Sequence, residues 1–226
     1  MAAGTAACPA ARSPGEARRG SVGRMDATAA AVTEVLPADI QSLADQLAAN
    51  ERDVEALVDG LSDELGTRPP APGAWSVAEC LDHLATANRV YLAALRPAAE
   101  RARQQGKQRR GPAVPGLLGG WFVRSLEPPA KPLLKLRAPR KIRPRSGPPL
   151  AQVYADFQDA HRAAVSFLHD VADLDLAHAR SVNPFIRGVR FSLATGLHVI
   201  AAHERRHLWQ AWRARRAVAG DAAPIP

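Results

Sequence analysis

Apolar residues recur every three or four positions through four long segments of this chain, and this spacing constrains the fold more than any other feature. A period near 3.6 places such residues on one face of an α-helix. Ala and Leu dominate the apolar set, and aromatic residues make up only 5% of the sequence. Because Ala and Leu favour helices, whereas strands favour β-branched and aromatic residues, the sequence predicts an all-α protein with no convincing strand.

Local signals indicate where the helices begin and end. The first is expected to begin near Asp39 as its N-cap, and its apolar stripe continues to Leu65, with a glycine ending it. The second is expected to begin at Ser76, because the Ser-x-x-Glu spacing to Glu79 is that of a capping box. The third and fourth predicted helices span about 150–174 and 192–217.

Composition divides the chain into tails, a helical domain and an insert. Residues 1–36 hold few large apolar side chains, so we expect a disordered N-terminal tail, and 219–226 form a second one. Between them, 37–218 are predicted to form a four-helix bundle. A long crossover rich in Pro and Arg, 111–149, joins its second and third helices and holds one short helical piece near 117–126.

The net charge of +8 is concentrated in one stretch. Between Arg101 and Arg145, thirteen Lys and Arg stand against one acid, Glu127, so the remainder of the chain is net negative. The high pI therefore does not indicate a general nucleic-acid binder. The crossover could be a solvated loop, could collect an anionic ligand, or could touch a membrane or nucleic acid through the apolar pairs at 121–122 and 133–134.

Cysteine usage and hydropathy bear on the compartment. The two cysteines, Cys8 and Cys80, give no disulfide framework, which fits a reducing cytoplasm. No apolar run approaches the roughly 18 residues of a membrane span, and no apolar core of a signal peptide is evident. We therefore expect a cytoplasmic protein without a transmembrane segment, for which a homodimer is one possible state.

Three of the seven histidines stand where they could share a metal ion. His203 and His207 are four residues apart in the fourth predicted helix, which puts both imidazoles on one face. His83, on the apolar side of the second predicted helix, is the best candidate for a third ligand. Three neutral imidazoles leave the charge of the ion uncompensated, so it would act as a Lewis acid. Imidazole suits several metals, so ligand type alone does not identify the ion.

The segment from His203 to His207 in the fourth predicted helix reads His-Glu-Arg-Arg-His, which is the HExxH pattern of zinc peptidases. Such a peptidase takes a third ligand further along the chain, yet no His, Glu or Cys follows His207. The peptidase interpretation is therefore the less favoured one. Glu204 is expected to be a solvated carboxylate that pairs with Arg205 or Arg206, and a general base is the alternative.

For other residues near these motifs, the sequence allows both a functional and a purely structural interpretation. Cys80 and His198 could reach the metal site, but both are expected to be packed residues. Gln210 either orients a ligand or simply packs, and Glu79 is expected to be a helix cap. The remaining histidines of the helical domain, expected to be packed or at the surface, are His161, His169 and His178.

Two of these stretches together resemble the DinB-like superfamily, which includes the YfiT-like metal-dependent hydrolases. The sequence WSVAECLDHL from Trp75 to Leu84 is similar to the WSxxExxxHL signature, and HERRHLWQ from His203 to Gln210 is similar to the closing HxxxHxxQ. The resemblance covers roughly 38–216. The basic crossover departs from the family pattern by its length and Pro content.

The resemblance implies an up-down-down-up four-helix bundle. It also implies that His83, His203 and His207 bind one divalent ion, zinc or nickel first among the candidates, with one coordination position open. Some relatives are thiol S-transferases that use bacillithiol or mycothiol, and some act as maleylpyruvate isomerases.

The sequence thus predicts a metal-binding protein that is a metal-dependent hydrolase or a thiol S-transferase, acting on a small electrophilic substrate. A low-molecular-weight thiol is a further candidate cofactor. The alternative is a non-catalytic binding or stress-response module in which the bundle is only a scaffold. Resemblance of fold does not separate the two, because function depends on the site.

Overall fold

The computed structural model describes residues 35–129 and 138–220. Nearly all of the two predicted tails and the crossover residues 130–137 lie outside the described part. Helices dominate, and the predicted all-α class is confirmed. The helices are α1 (Ala38–Val58), α2 (Asp63–Thr67), α3 (Val77–Gln104), α4 (Leu117–Leu126), α5 (Leu150–Asp170) and α6 (Leu193–Ala219).

The four long helices α1, α3, α5 and α6 pack together as a bundle. Helix α3 packs against α5 and α6, and α1 packs against α6 and α5. Their inward faces form two separate apolar clusters. Along each long helix, a buried polar side chain separates the residues of one apolar cluster from those of the other. These four side chains are Asn50, Asn88, His161 and Glu204.

Helix α1 ends sooner than its apolar stripe predicts. The predicted single helix is divided at Gly60, which adopts a left-handed conformation with φ of 65°. Ser62 then caps α2, since its hydroxyl accepts a hydrogen bond from the backbone N–H of Leu65. A helix cannot continue through a residue in that conformation, so the apolar periodicity runs across two helices. The predicted terminator Gly66 consequently lies inside α2.

The start of α1 also differs from the prediction. The helix begins at Ala38 with Pro37 as its N-cap, so Asp39 lies in the first turn and is not the cap. Its carboxylate instead accepts hydrogen bonds from the Arg109 side chain and from the backbone N–H of Ala113. These contacts attach the beginning of α1 to the chain that follows α3.

The capping box that opens α3 is confirmed. The Ser76 hydroxyl accepts from the Glu79 N–H at 3.1 Å, and the Glu79 carboxylate accepts from the Ser76 N–H at 2.9 Å. This reciprocal pair satisfies two of the N–H groups that a helix leaves free at its start. The beginning of the helix that carries His83 is therefore fixed by local hydrogen bonds.

The crossover has more structure than a solvated loop. The predicted helical piece is α4, which packs against α6 where Gly119 lies close to Thr195. A short 3-10 turn, Arg140–Ile142, packs against α3.

The expectation of no strand is wrong at one place, because Arg180–Val182 (β1) pairs antiparallel with Arg190–Ser192 (β2). Within the described ranges, no helix is long and apolar enough to cross a lipid bilayer.

Candidate metal centre

The three predicted histidines lie together between α3 and α6. One ring nitrogen from each of His83, His203 and His207 lies within 4.8 Å of the others. The Nε2 atoms of His83 and His203 are 3.2 Å apart. Two nitrogens bound tetrahedrally to zinc at about 2.0–2.1 Å would lie about 3.4 Å apart. The pair formed by His83 and His203 therefore has the spacing of two zinc ligands, and the described part of the chain holds no other such group of metal-ligating residues.

Two of the three rings are oriented by oxygen acceptors on their outer nitrogens. His83 Nδ1 donates to the backbone carbonyl of Ile142 at 2.5 Å, and His207 Nδ1 donates to Gln210 Oε1 at 3.0 Å. A carbonyl oxygen only accepts hydrogen bonds, so both rings carry their proton on Nδ1. The lone pair is then on Nε2, the tautomer that lets this nitrogen bind a metal.

The third ring contributes an unsatisfied group. His203 Nδ1 is buried and has no hydrogen-bond partner among the described residues. Burying a polar ring with so few partners costs free energy unless another group binds it. An ion bound at Nε2 would not reach this Nδ1 atom, so the fit to a divalent ion rests on the 3.2 Å approach of the Nε2 atoms of His83 and His203.

All three imidazoles favour the neutral form. Burial lowers the pKa of His203 to about 3, and the neighbouring His83 and Arg206 add to the effect. Burial likewise lowers the pKa of His207 well below its ordinary value, and burial lowers the pKa of His83 despite its hydrogen bond to Ile142. Because metals bind neutral imidazole, these ligands need not lose a proton at neutral pH before they bind an ion.

The indole ring of Trp75 lies against the cluster. Its centroid is 4.8 Å from the ring of His83 and 5.6 Å from that of His207, on which it stacks at 29°. Trp75 directly precedes the capping residue of α3, and its side chain is half-buried. The opening residue of the WSxxE motif therefore forms one wall of the candidate site.

Glu204 does not occupy the position predicted for it. Its side chain is fully buried and pairs with neither Arg205 nor Arg206. The carboxylate accepts from the Asn50 amide at 2.9 Å, from the Asn88 amide at 2.7 Å and from His161 Nδ1 at 3.1 Å. A solvated carboxylate is therefore the wrong interpretation, and Glu204 is the centre of a polar network that joins all four long helices.

The arginines beside Glu204 have other partners. Arg205 forms a bidentate ion pair with Glu127, and Arg206 donates to the backbone carbonyl of Ser125. Both contacts attach the α4 end of the crossover to α6. Glu127, the one acid between Arg101 and Arg145, is therefore paired within the fold.

His161 is a member of the network and not an isolated packed residue. Burial by itself would lower its pKa, but the hydrogen bond and the charge of Glu204 outweigh that effect and raise the pKa.

The sequence did carry a signal for this network. Asn50 follows Leu47 by three, and His161 follows Phe157 by four, so both are polar residues at core positions of a helical stripe.

The remaining candidates lie outside the cluster or support it. Cys80 is fully buried among apolar side chains, and this burial, with the nearby charge of Glu79, raises the pKa of its thiol. His198 pairs through Nε2 with the Ala113 carbonyl. Gln210 contacts His207, as one of its two predicted roles requires.

The far end of the crossover is attached beside the site. Asp82, the neighbour of His83, is buried and accepts from the backbone N–H of Arg145 at 2.7 Å and from its Nε at 2.8 Å. Arg145 also pairs with Asp156 on α5 at 2.9 Å. Together with the Ile142 carbonyl, these contacts make the crossover a structural part of the candidate metal centre.

Comparison with protein families agrees with this geometry. The family model of the DinB superfamily matches residues 46–211, which is most of the chain and includes all three histidines. The chain therefore belongs to the DinB superfamily, and the predicted resemblance is confirmed. Comparison with curated proteins and with solved structures gives no match.

Proposed function

We propose that this DinB-superfamily protein is a metal-dependent enzyme in which His83, His203 and His207 bind one divalent ion, zinc or nickel. The observation that carries the proposal is the convergence of three neutral imidazoles from two helices. Acceptors on the Nδ1 atoms of His83 and His207 direct Nε2 of each ring toward binding.

The chemistry follows from the donor set. An ion held there supplies Lewis-acid activation of a water or a low-molecular-weight thiol toward a small electrophilic substrate. The histidines contribute no negative charge, and Ile142 and Gln210 hold two of the rings in place. Trp75 covers one side of the cluster and limits the access of bulk water. A hydrolase or a thiol S-transferase agrees with these features, and the cysteine content favours the cytoplasm as its compartment.

The crossover could also attract an anionic thiol or substrate. Arg140, Lys141 and Arg143 are exposed on either side of Ile142, whose carbonyl contacts His83. Arg145 is already engaged by Asp82 and Asp156. The exposed cations are therefore the ones that support recognition of an anion near the site.

The peptidase alternative receives no support from the position of Glu204. In HExxH peptidases this carboxylate serves as the general base at the metal. Here it accepts three hydrogen bonds in a fully buried network and is not part of the three-histidine group. A carboxylate satisfied in this way is poorly suited to take up a proton from a reacting water.

Metal binding is tested by elemental analysis of protein purified without a chelating tag. We expect about one equivalent of a divalent metal in the wild type and none in the variant H83A/H203A/H207A. The matched control is His198→Ala, which removes a histidine of α6 outside the cluster and should keep the metal. Equal metal content in the wild type and the triple variant would refute the site.

Catalysis is tested separately from binding. We expect turnover when the metal-loaded protein is given a low-molecular-weight thiol and a panel of small electrophiles, and its loss in His207→Ala. The panel should also contain ester and amide substrates without thiol, which report a hydrolase. Full metal occupancy without turnover on the whole panel would favour the non-catalytic binding module.

A further inference from the structure

Helix α4 presents an apolar face that nothing covers within the described part of the protein. Its inner side packs on the core through Phe122, Val123 and Leu126. The outer side chains are largely exposed, with Leu117 at 94%, Leu118 at 86% and Trp121 at 62%. Val114, just before the helix, is 53% exposed. Large apolar side chains grouped on one surface indicate an interaction site, whereas single exposed ones are ordinary.

Two exposed arginines flank this face in sequence. Arg110 and Arg124 are exposed, and neither forms an ion pair with the residues that the structure describes. Glu127 is engaged by Arg205, so the acid nearest in sequence to α4 is already neutralised. The complementary partner is therefore both apolar and anionic.

We propose that the outer face of α4 binds an anionic lipid surface, with Leu117, Leu118 and Trp121 entering the interface and the flanking arginines contacting lipid headgroups. Tryptophan and leucine beside cations are the combination that peripheral membrane helices use. Arg110 and Arg124 disfavour a second copy of the chain, because two such faces would bring like charges together. Trp121 is the one exposed aromatic side chain of this face, and aliphatic Leu117 and Leu118 provide no further platform for stacking bases, which disfavours nucleic acid.

The experiment measures sedimentation of the full-length protein with vesicles at low salt. We expect binding to phosphatidylcholine vesicles containing about a third phosphatidylglycerol, little binding to pure phosphatidylcholine, and weakening as salt rises. Leu117→Ser with Leu118→Ser should lower the partition coefficient at least tenfold. The matched control is Ile186→Ser, which removes another exposed apolar side chain, 57% exposed, far from α4 in sequence.

Trp121 supplies an independent signal in the same experiment. Its fluorescence should shift to shorter wavelength on binding, and the shift should be absent in Trp121→Phe. His207→Ala should bind vesicles like the wild type, so failure of the metal proposal does not affect this one. Absence of binding, or equal binding by the Leu117/Leu118 variant, would overturn the proposal. So would a dimer that this variant dissociates in sedimentation equilibrium, or tighter binding to an oligonucleotide than to vesicles.

Discussion

Glu204 brings a carboxylate to the point where all four long helices meet. Its three donors come from α1, α3 and α5, and it lies on α6 directly after the ligand candidate His203. A fully buried carboxylate is costly unless it is well hydrogen-bonded, and this one accepts from two amides and an imidazole. The network therefore fixes the position of α6 relative to α3, and with it the position of the paired histidines relative to His83.

The first prediction concerns this network. Glu204→Gln should destabilise the fold by about 3 kcal/mol, because one carboxylate oxygen becomes an NH₂ group that faces other donors. Urea unfolding followed by circular dichroism at pH 7, with a chelator present, measures the change. Glu55→Gln, an exposed position on α1, is the control and should change stability by less than about 0.5 kcal/mol. Equal effects of the two substitutions would contradict the role assigned to the network.

The second prediction concerns Asp39. Its pKa is lowered from 3.8 to about 2, chiefly by the hydrogen bond from Arg109. A carboxyl whose pKa is lowered in the folded state stabilises the fold above its unfolded pKa and loses that contribution as the pH falls through the folded one. Asp39→Asn should therefore cost about 2 kcal/mol at pH 7, and the difference should shrink between pH 4 and pH 2. Denaturant unfolding across this range measures it, and a difference independent of pH would contradict the assignment.

At the scale of elements, α6 approaches α3 closely where it begins. A Cβ added at Gly196 would lie 2.5 Å from Leu95 Cδ2 and 2.7 Å from the Phe191 ring. Leu95 is fully buried and has little room to move. Gly196 is thus required by packing, although it is a poor helix former.

The third prediction compares two helical glycines. Gly196→Ala should destabilise the protein by about 1–2 kcal/mol, because overpacking exceeds the gain in helix propensity. Gly120→Ala in α4 is the matched control, since the added Cβ would make only an ordinary contact at 3.9 Å with the Pro115 carbonyl. It should be neutral or stabilise by up to about 1 kcal/mol. Chemical unfolding of both variants measures the contrast, and stabilisation by both would show that α6 can move away from α3.

The long helices could be predicted from the sequence because each has a sustained apolar stripe, and α3 also carries its capping box. The break at Gly60 could not, because Leu57, Leu61 and Leu65 continue the stripe across it. The hairpin could not be predicted either, because each of its strands has only three residues, too few to show a period of two.

At the scale of the whole molecule, the histidine site depends on residues distant in the chain. Helical spacing and the two motifs indicated His83, His203 and His207, and the structure brings them together. The polar network is harder to predict, because Asn50 and Asn88 are isolated polar residues within apolar stripes and the arginines beside Glu204 favour a local ion pair. The contact from Ile142 could not be predicted, because a backbone carbonyl has no residue signature.

The fourth prediction concerns metal and global stability. Because the candidate ligands lie on α3 and α6, an ion that binds only the folded state should stabilise the whole bundle. At a hundredfold excess over Kd the gain is about 2.7 kcal/mol, or about 5–10 °C in Tm. Differential scanning calorimetry with added zinc or nickel, and then with a chelator, measures the shift. His83→Ala should show none, and an equal shift in that variant would locate metal binding elsewhere.

The hydrogen bond from His83 to the Ile142 carbonyl has a consequence for mutagenesis. The acceptor is a main-chain atom, so alanine substitutions within the 3-10 turn would keep it at every position and would report that no side chain there orients the ligand. Deletions or insertions close to the 3-10 turn would move the carbonyl and release the ring. The orientation of the His83 ring would then depend on the length of the loop and not on the identity of its residues.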